Sequence, residues 1–202
     1  MSAVTDKIMK RVRGKGRGWA FTPKDFLDLG TRASIDMALT RLVQASQIRR
    51  IGRGLYDYPK LHDKLGALTP DADTIAQAVA TQSGDKVSTS GAQAANRLGI
   101  STQVPAKTSY ATSGQTRVKK VAGRTIALKR SRAPILDDAS PEANAVLQLL
   151  AHVGKDKIDN DLIQRLSAQI DDRDFKALTK AQPLMPGWMS DVVLKIGLVR
   201  HG

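Results

Sequence analysis

The residues best suited to chemistry lie between positions 30 and 58, with one upstream. Thr31 and Ser34 stand at the start of a 3.6-residue period whose apolar stripe leaves Arg32, Asp36, Thr40, Arg41 and Gln44 outward, and Arg49, Arg50 and Arg53 follow around Gly52 and Gly54. Arg17 stands earlier, in Gly14-Lys15-Gly16-Arg17-Gly18. An arginine fork pairs bidentately with the guanine edge, and hydroxyls bond either strand of a base pair. A helix start that carries them also attracts phosphate. The three later arginines suit backbone phosphates or a narrow minor groove. Together these residue types read as a surface for double-stranded DNA.

Such residues need elements to hold them. Ile8, Met9 and Val12 share one face of a helix expected over residues 3–12, and Trp19-Ala20-Phe21 reads as a short strand. Thr22 and Pro23 open a helix that Gly30 closes. Thr31 or Ser34 caps the next, which runs to about Ser46 and buries Ile35, Ala38, Leu39, Leu42 and Val43. Ile48–Ile51 and Leu55–Tyr58 pair across Gly52-Arg53-Gly54, and Pro59 ends them. Two helices around a glycine turn, then a basic hairpin, predict a winged helix-turn-helix over residues 1–64.

Residues 65–202 read as an α+β region that ends in helices. A helix over 71–82, a strand at Val87-Ser88-Thr89 and a small-residue helix over 91–98 come first. Val104-Pro105 then connects to residues 108–112. Arg117–Val121 and Arg124–Lys129 flank Ala122-Gly123 as a second basic hairpin. Residues 134–202 are mainly helical, with helices starting near Glu142, Asn160, Asp172 and Met189. The expected fold class is therefore α+β, closed by a C-terminal helical bundle.

Charge follows this division. The chain carries a net +13 over 202 residues, split as +8 over residues 1–64, +7 over 65–133 and −2 over 134–202. Localised basicity of this kind attracts a polyanion. There is no cysteine, hence no disulfide or thiolate chemistry. Glu142 is the one glutamate, and His62, His152 and His201 lie far apart, so general bases are few. Gly14-Lys15 and Gly154-Lys155 lack the rest of a phosphate-binding loop. Asp174-Phe175-Lys176 lacks the second carboxylate of a nuclease site. No metal, cofactor or catalytic residue is expected, and a non-enzymatic protein is. No apolar run spans a membrane, and the N-terminus lacks a signal-peptide core, so a cytoplasmic location is expected. The competing readings are a ligand-sensing regulator and, further off, an RNA-processing enzyme.

The stretch Gly30–Val43, continuing through Arg50-Ile51-Gly52-Arg53-Gly54-Leu55-Tyr56, resembles the N-terminal winged helix of AbiE-type antitoxins. Ser90-Gly91-Ala92-Gln93-Ala94-Ala95-Asn96-Arg97-Leu98-Gly99-Ile100 and the basic strands after it extend the similarity to residues 3–132. The resemblance implies an antitoxin of a type IV toxin–antitoxin system, of the sort used in abortive infection and phage defence. Such a protein represses its own operon and counteracts a co-encoded nucleotidyltransferase toxin without a stable complex. It leaves open whether the basic strands over 117–130 touch DNA or oppose the toxin's RNA substrate.

Overall fold

The computed structural model describes residues 3–102 and 108–201. Its elements are mixed α and β, with eight α-helices and three small sheets among the described residues. They divide into two units, Met1–Asp85 with Val118–Ile126, and Lys86–Arg117 with Ala127–Gly202. The break thus falls beyond residue 64, and a piece of the middle segment returns to the first unit. The Val104-Pro105 connection lies outside the described residues.

In the first unit, α1 (Ala3–Lys15) packs on α2 (Arg32–Gln44) through Ile8, Met9 and Val12. Between them come β1 (Ala20–Phe21) and a single 3-10 turn, Pro23–Phe26. The full helix expected from Thr22 to Gly30 is not formed. Thr22 and Asp25 close a capping box, Phe26 is fully buried, and Leu27 is exposed. Pro23 and Phe26 are the buried residues of this turn and Leu29 packs on the same core from the loop after it. Phe26 meets Phe21 edge to face at 5.5 Å, and Phe21 stacks on Tyr56 at 6.1 Å. Aromatic pairs of this geometry contribute about 0.5–1.5 kcal/mol each beyond area burial.

Strands β2 (Arg49–Gly52) and β3 (Leu55–Asp57) form the expected hairpin, and β1 adds on the far side of β3 in the order β1-β3-β2. The pairing register shifts between Arg50 and Gly52. Gly54 carries the positive φ, +66°, that the turn requires. A second, small hairpin, β4 (Leu61–His62) with β5 (Gly66–Ala67), was not legible in the sequence. Helix α3 (Ala72–Ser83) is N-capped by Asp71 and C-capped by Gly84. It packs on β1 and β3 with Ile75 and Val79 fully buried, which is why the unit extends past residue 64.

The second unit is built around α5 (Pro141–Val153). This helix is apolar almost all round, so it takes the centre. Against it lie β6 (Val87–Thr89), α4 (Gly91–Arg97) and α7 (Asp172–Lys180), while α6 (Asn160–Gln169) packs on α8 (Gly187–His201). Its buried polar residues are satisfied. Asn144 closes two hydrogen bonds with the backbone of Leu136. Gln148 accepts from Ser131 at 2.6 Å and donates to the Pro134 carbonyl. Strand β7 (Ser109–Thr112) runs antiparallel to β6 and parallel to β9 (Arg124–Arg130), and β8 (Arg117–Val121) pairs with β9 at the edge. Helices α5 to α8 share one apolar core with α4, in a unit that also carries β6 and β7.

Candidate nucleic-acid interface

The outward face of α2 begins at its cap. Thr31 Oγ1 accepts from the Ser34 amide at 3.3 Å, and Ser34 Oγ donates back to the Thr31 carbonyl at 2.8 Å. Both hydroxyls are thus engaged at the helix start. Arg32 forms an i,i+4 ion pair with Asp36 at 2.8 Å, with both side chains about half exposed. Such a pair is worth about 0.3–0.5 kcal/mol, little against the roughly 1–3 kcal/mol of a bidentate base contact. Arg41, Thr40 and Gln44 continue the exposed face. Thr40 donates to the Asp36 carbonyl, and among the described residues the Arg41 guanidinium reaches the Met37 sulfur alone, at 3.7 Å.

An open cleft of about 680 Å³ is lined by Arg32 and Asp36 from α2, Arg50 and Arg53 from the β2–β3 hairpin, and Gln82 and Lys119. Four cations face one carboxylate there, so the cleft has a net +3. Arg53 is exposed, and Arg50 makes only a long contact, 3.4 Å, to the Gly52 carbonyl. The hairpin turn is braced from behind. Gln82 of α3 donates to the Arg53 carbonyl at 2.6 Å and accepts from Lys119 Nζ at 2.7 Å. The buried Val121 side chain comes close behind Gly52. Arg124 anchors the same β8–β9 turn to the Pro70 carbonyl at 2.9 Å.

Sequence reading missed Gln82 and Lys119. Lys119 stands in the conspicuous Arg117–Lys120 run, but its partner is 37 residues away, and no periodicity carries that information. Two of the expected DNA-binding residues, Arg49 and Arg17, have partners within the first unit. Arg49 grips the fully buried Asp57 with both ends of its fork, at 3.0 and 2.5 Å, and donates to the Ala67 and Leu68 carbonyls. The Asp57 hydrogen bonds, opposed by partial desolvation, hold the Arg49 guanidinium above its usual value. Arg17 donates to the Pro59 carbonyl and lies 4.7 Å over the Tyr58 ring. Arg49 is thus committed to contacts inside the hairpin, whereas Arg17 remains exposed beside it.

Among the described residues no cluster of three or more His, Asp or Glu could hold a metal ion, and no helix is long and apolar enough to cross a membrane. Fold and site define an α+β protein whose first unit carries an open, arginine-lined cleft. The chain belongs to a family of unknown function, DUF6088, whose model matches residues 7–178. No curated protein and no solved structure matches it.

Proposed function

We propose that residues 3–58 are a winged helix-turn-helix that binds double-stranded DNA, with α2 as recognition helix and the β2–β3 turn as wing. The observation that carries this reading is the convergence of Arg32 from α2 with Arg50 and Arg53 from the hairpin on one cleft. The element order supports it too: helix, strand, turn, helix, then a two-stranded hairpin. In this arrangement α2 enters the major groove, while Arg50 and Arg53 neutralise phosphates beside it. Thr31 and Ser34 fix the helix start, and Arg32 and Arg41 read base edges once the weak Asp36 pair and the Met37 contact open.

The resemblance to AbiE-type antitoxins gives this binder its biological role. The protein acts in the cytoplasm as an antitoxin and autorepressor of its own operon, opposing a co-encoded nucleotidyltransferase toxin, and is not itself an enzyme. The test has two parts. Fluorescence anisotropy with the duplex upstream of its gene should show tight, salt-dependent binding; no binding at low salt refutes the repressor. Co-expression with the adjacent gene should restore growth, and continued toxicity refutes the antitoxin.

A further inference from the structure

The second unit has a basic cleft of its own, of about 290 Å³, that the reading above does not use. Lys129 and Arg130 at the end of β9, Arg132 just after it, and His152 near the end of α5 line it, with hydroxyls from Ser90 and Ser131 between them. Lys129, Arg130 and Arg132 are exposed and make no ion pair among the described residues. No carboxylate is among the described lining residues, so an anion there meets no like charge from them.

The cleft is also held in shape. Ser131, between the two arginines, is fixed by the buried Gln148, by the Ala133 carbonyl at 2.8 Å and by the Ala133 amide at 3.0 Å. On the opposite wall α4 and α5 approach so closely that a Cβ on Gly91 would sit 2.1 Å from His152 Cβ and 2.8 Å from the Gln148 carbonyl oxygen. Fixed backbone on both sides and unpaired cations between them amount to preorganisation for a compact anion.

We propose that this cleft binds the phosphate groups of a mononucleotide, a nucleoside triphosphate in particular. Size favours a small ligand over duplex DNA, since this cleft takes about 290 Å³ against about 680 Å³ for the one lined by Arg32, Arg50 and Arg53. The volume is at the small end of ligand pockets. A triphosphate tail presents several charges within a few ångströms and so can meet Lys129, Arg130 and Arg132 together. The walls at Ala92 and Ala151 leave an apolar flank for the base. This site stands independently of the DNA-binding reading.

The experiment is isothermal titration of the full chain with ATP, with EDTA present, repeated with CTP, GTP and UTP and supported by thermal shift. One-to-one binding is expected, with tripolyphosphate competing and adenosine silent. Arg132→Ala and Lys129→Ala should each weaken ATP binding about tenfold or more, the scale of a lost charge-assisted hydrogen bond. Arg132→Lys should restore most of it. Both alanine sites are exposed, so folding is retained, as circular dichroism will check. Affinity for the upstream duplex should not change in either variant. No binding by any of the four nucleotides overturns the proposal. So does undiminished binding in the double variant. A parallel loss of duplex affinity also overturns it, because the surface is then a nucleic-acid backbone contact.

Discussion

Arg49 and Arg53 lie four residues apart on one hairpin, and their replacement by alanine should have opposite consequences. Arg49→Ala removes the partner of Asp57, whose side chain is 0% exposed. Stripping one member from a buried pair costs about 3–5 kcal/mol. Arg49 itself is 35% exposed, so water reaches the pair and the expected loss falls to about 2–3 kcal/mol. Two carbonyl contacts, to Ala67 and Leu68, go with it. Arg53→Ala removes an exposed side chain and should change stability by no more than about 0.5 kcal/mol. Urea unfolding followed by tryptophan fluorescence reads this out. Trp19 packs on Phe21 in the first unit and Trp188 sits against the core of the second, so a Trp188→Phe background isolates the first. With a slope of about 2–3 kcal/mol per molar, Arg49→Ala should lower the midpoint by about 1 M. On DNA the order reverses. Arg53→Ala should flatten the log–log salt dependence by about 0.9, while folded Arg49→Ala should keep the parent slope. Arg49→Met with Asp57→Leu should recover most of the stability, since no charge is then stranded. An unchanged midpoint for Arg49→Ala, or a large stability loss for Arg53→Ala, refutes this division of labour.

Further outcomes follow from the same geometry. Arg32→Ala or Arg41→Ala should cost about 1–3 kcal/mol in operator affinity and relax base preference, measured against a panel of altered duplexes; uniform weakening across the panel would remove both from base readout. Gln82→Ala leaves the Arg53 carbonyl without its Gln82 donor, so duplex affinity should fall by less than in Arg53→Ala, with about 1 kcal/mol of stability lost; affinity equal to the parent would show that the turn needs no brace. Gly91→Ala forces α4 from α5 and should destabilise the second unit by about 1–3 kcal/mol or more, read by thermal unfolding. Three carboxyls lie below their usual range. Arg97 holds down Glu142, Arg11 holds down Asp28, and at Asp71 burial pushes upward but the cap bonds from Thr74 outweigh it. Their stabilisation is complete above the unfolded values of about 4. It should disappear as pH falls through the lower folded ones, so the melting temperature should be flat from pH 7 to about 5 and fall only below.

Local physics made much of this protein legible before any coordinates. Thr31 marks a helix start because capping is settled between a side chain and its own next turn. The β2–β3 hairpin and the Ala122-Gly123 turn, with φ of 49° and 77°, are likewise set by neighbours in sequence. Apolar spacing placed the core faces of α1 and α2. What sequence alone could not settle was which of several equivalent arginines is free. Arg49, Arg50 and Arg53 differ only through distant partners: Asp57 across the hairpin, the carbonyls of Ala67 and Leu68, and Gln82 on a helix 29 residues on. The helix expected after Thr22 shortened to one turn because Phe26 was drawn into an aromatic cluster that local propensity does not describe. The unassigned charge of the middle segment likewise divided only in three dimensions, with Lys119 at the first unit's cleft and Lys129, Arg130 and Arg132 at the second's. Composition and spacing determined that the chain is basic, α+β and rich in candidate phosphate ligands. Long-range packing decided which cations are bound up in the fold, because a guanidinium's availability depends on what reaches it across space.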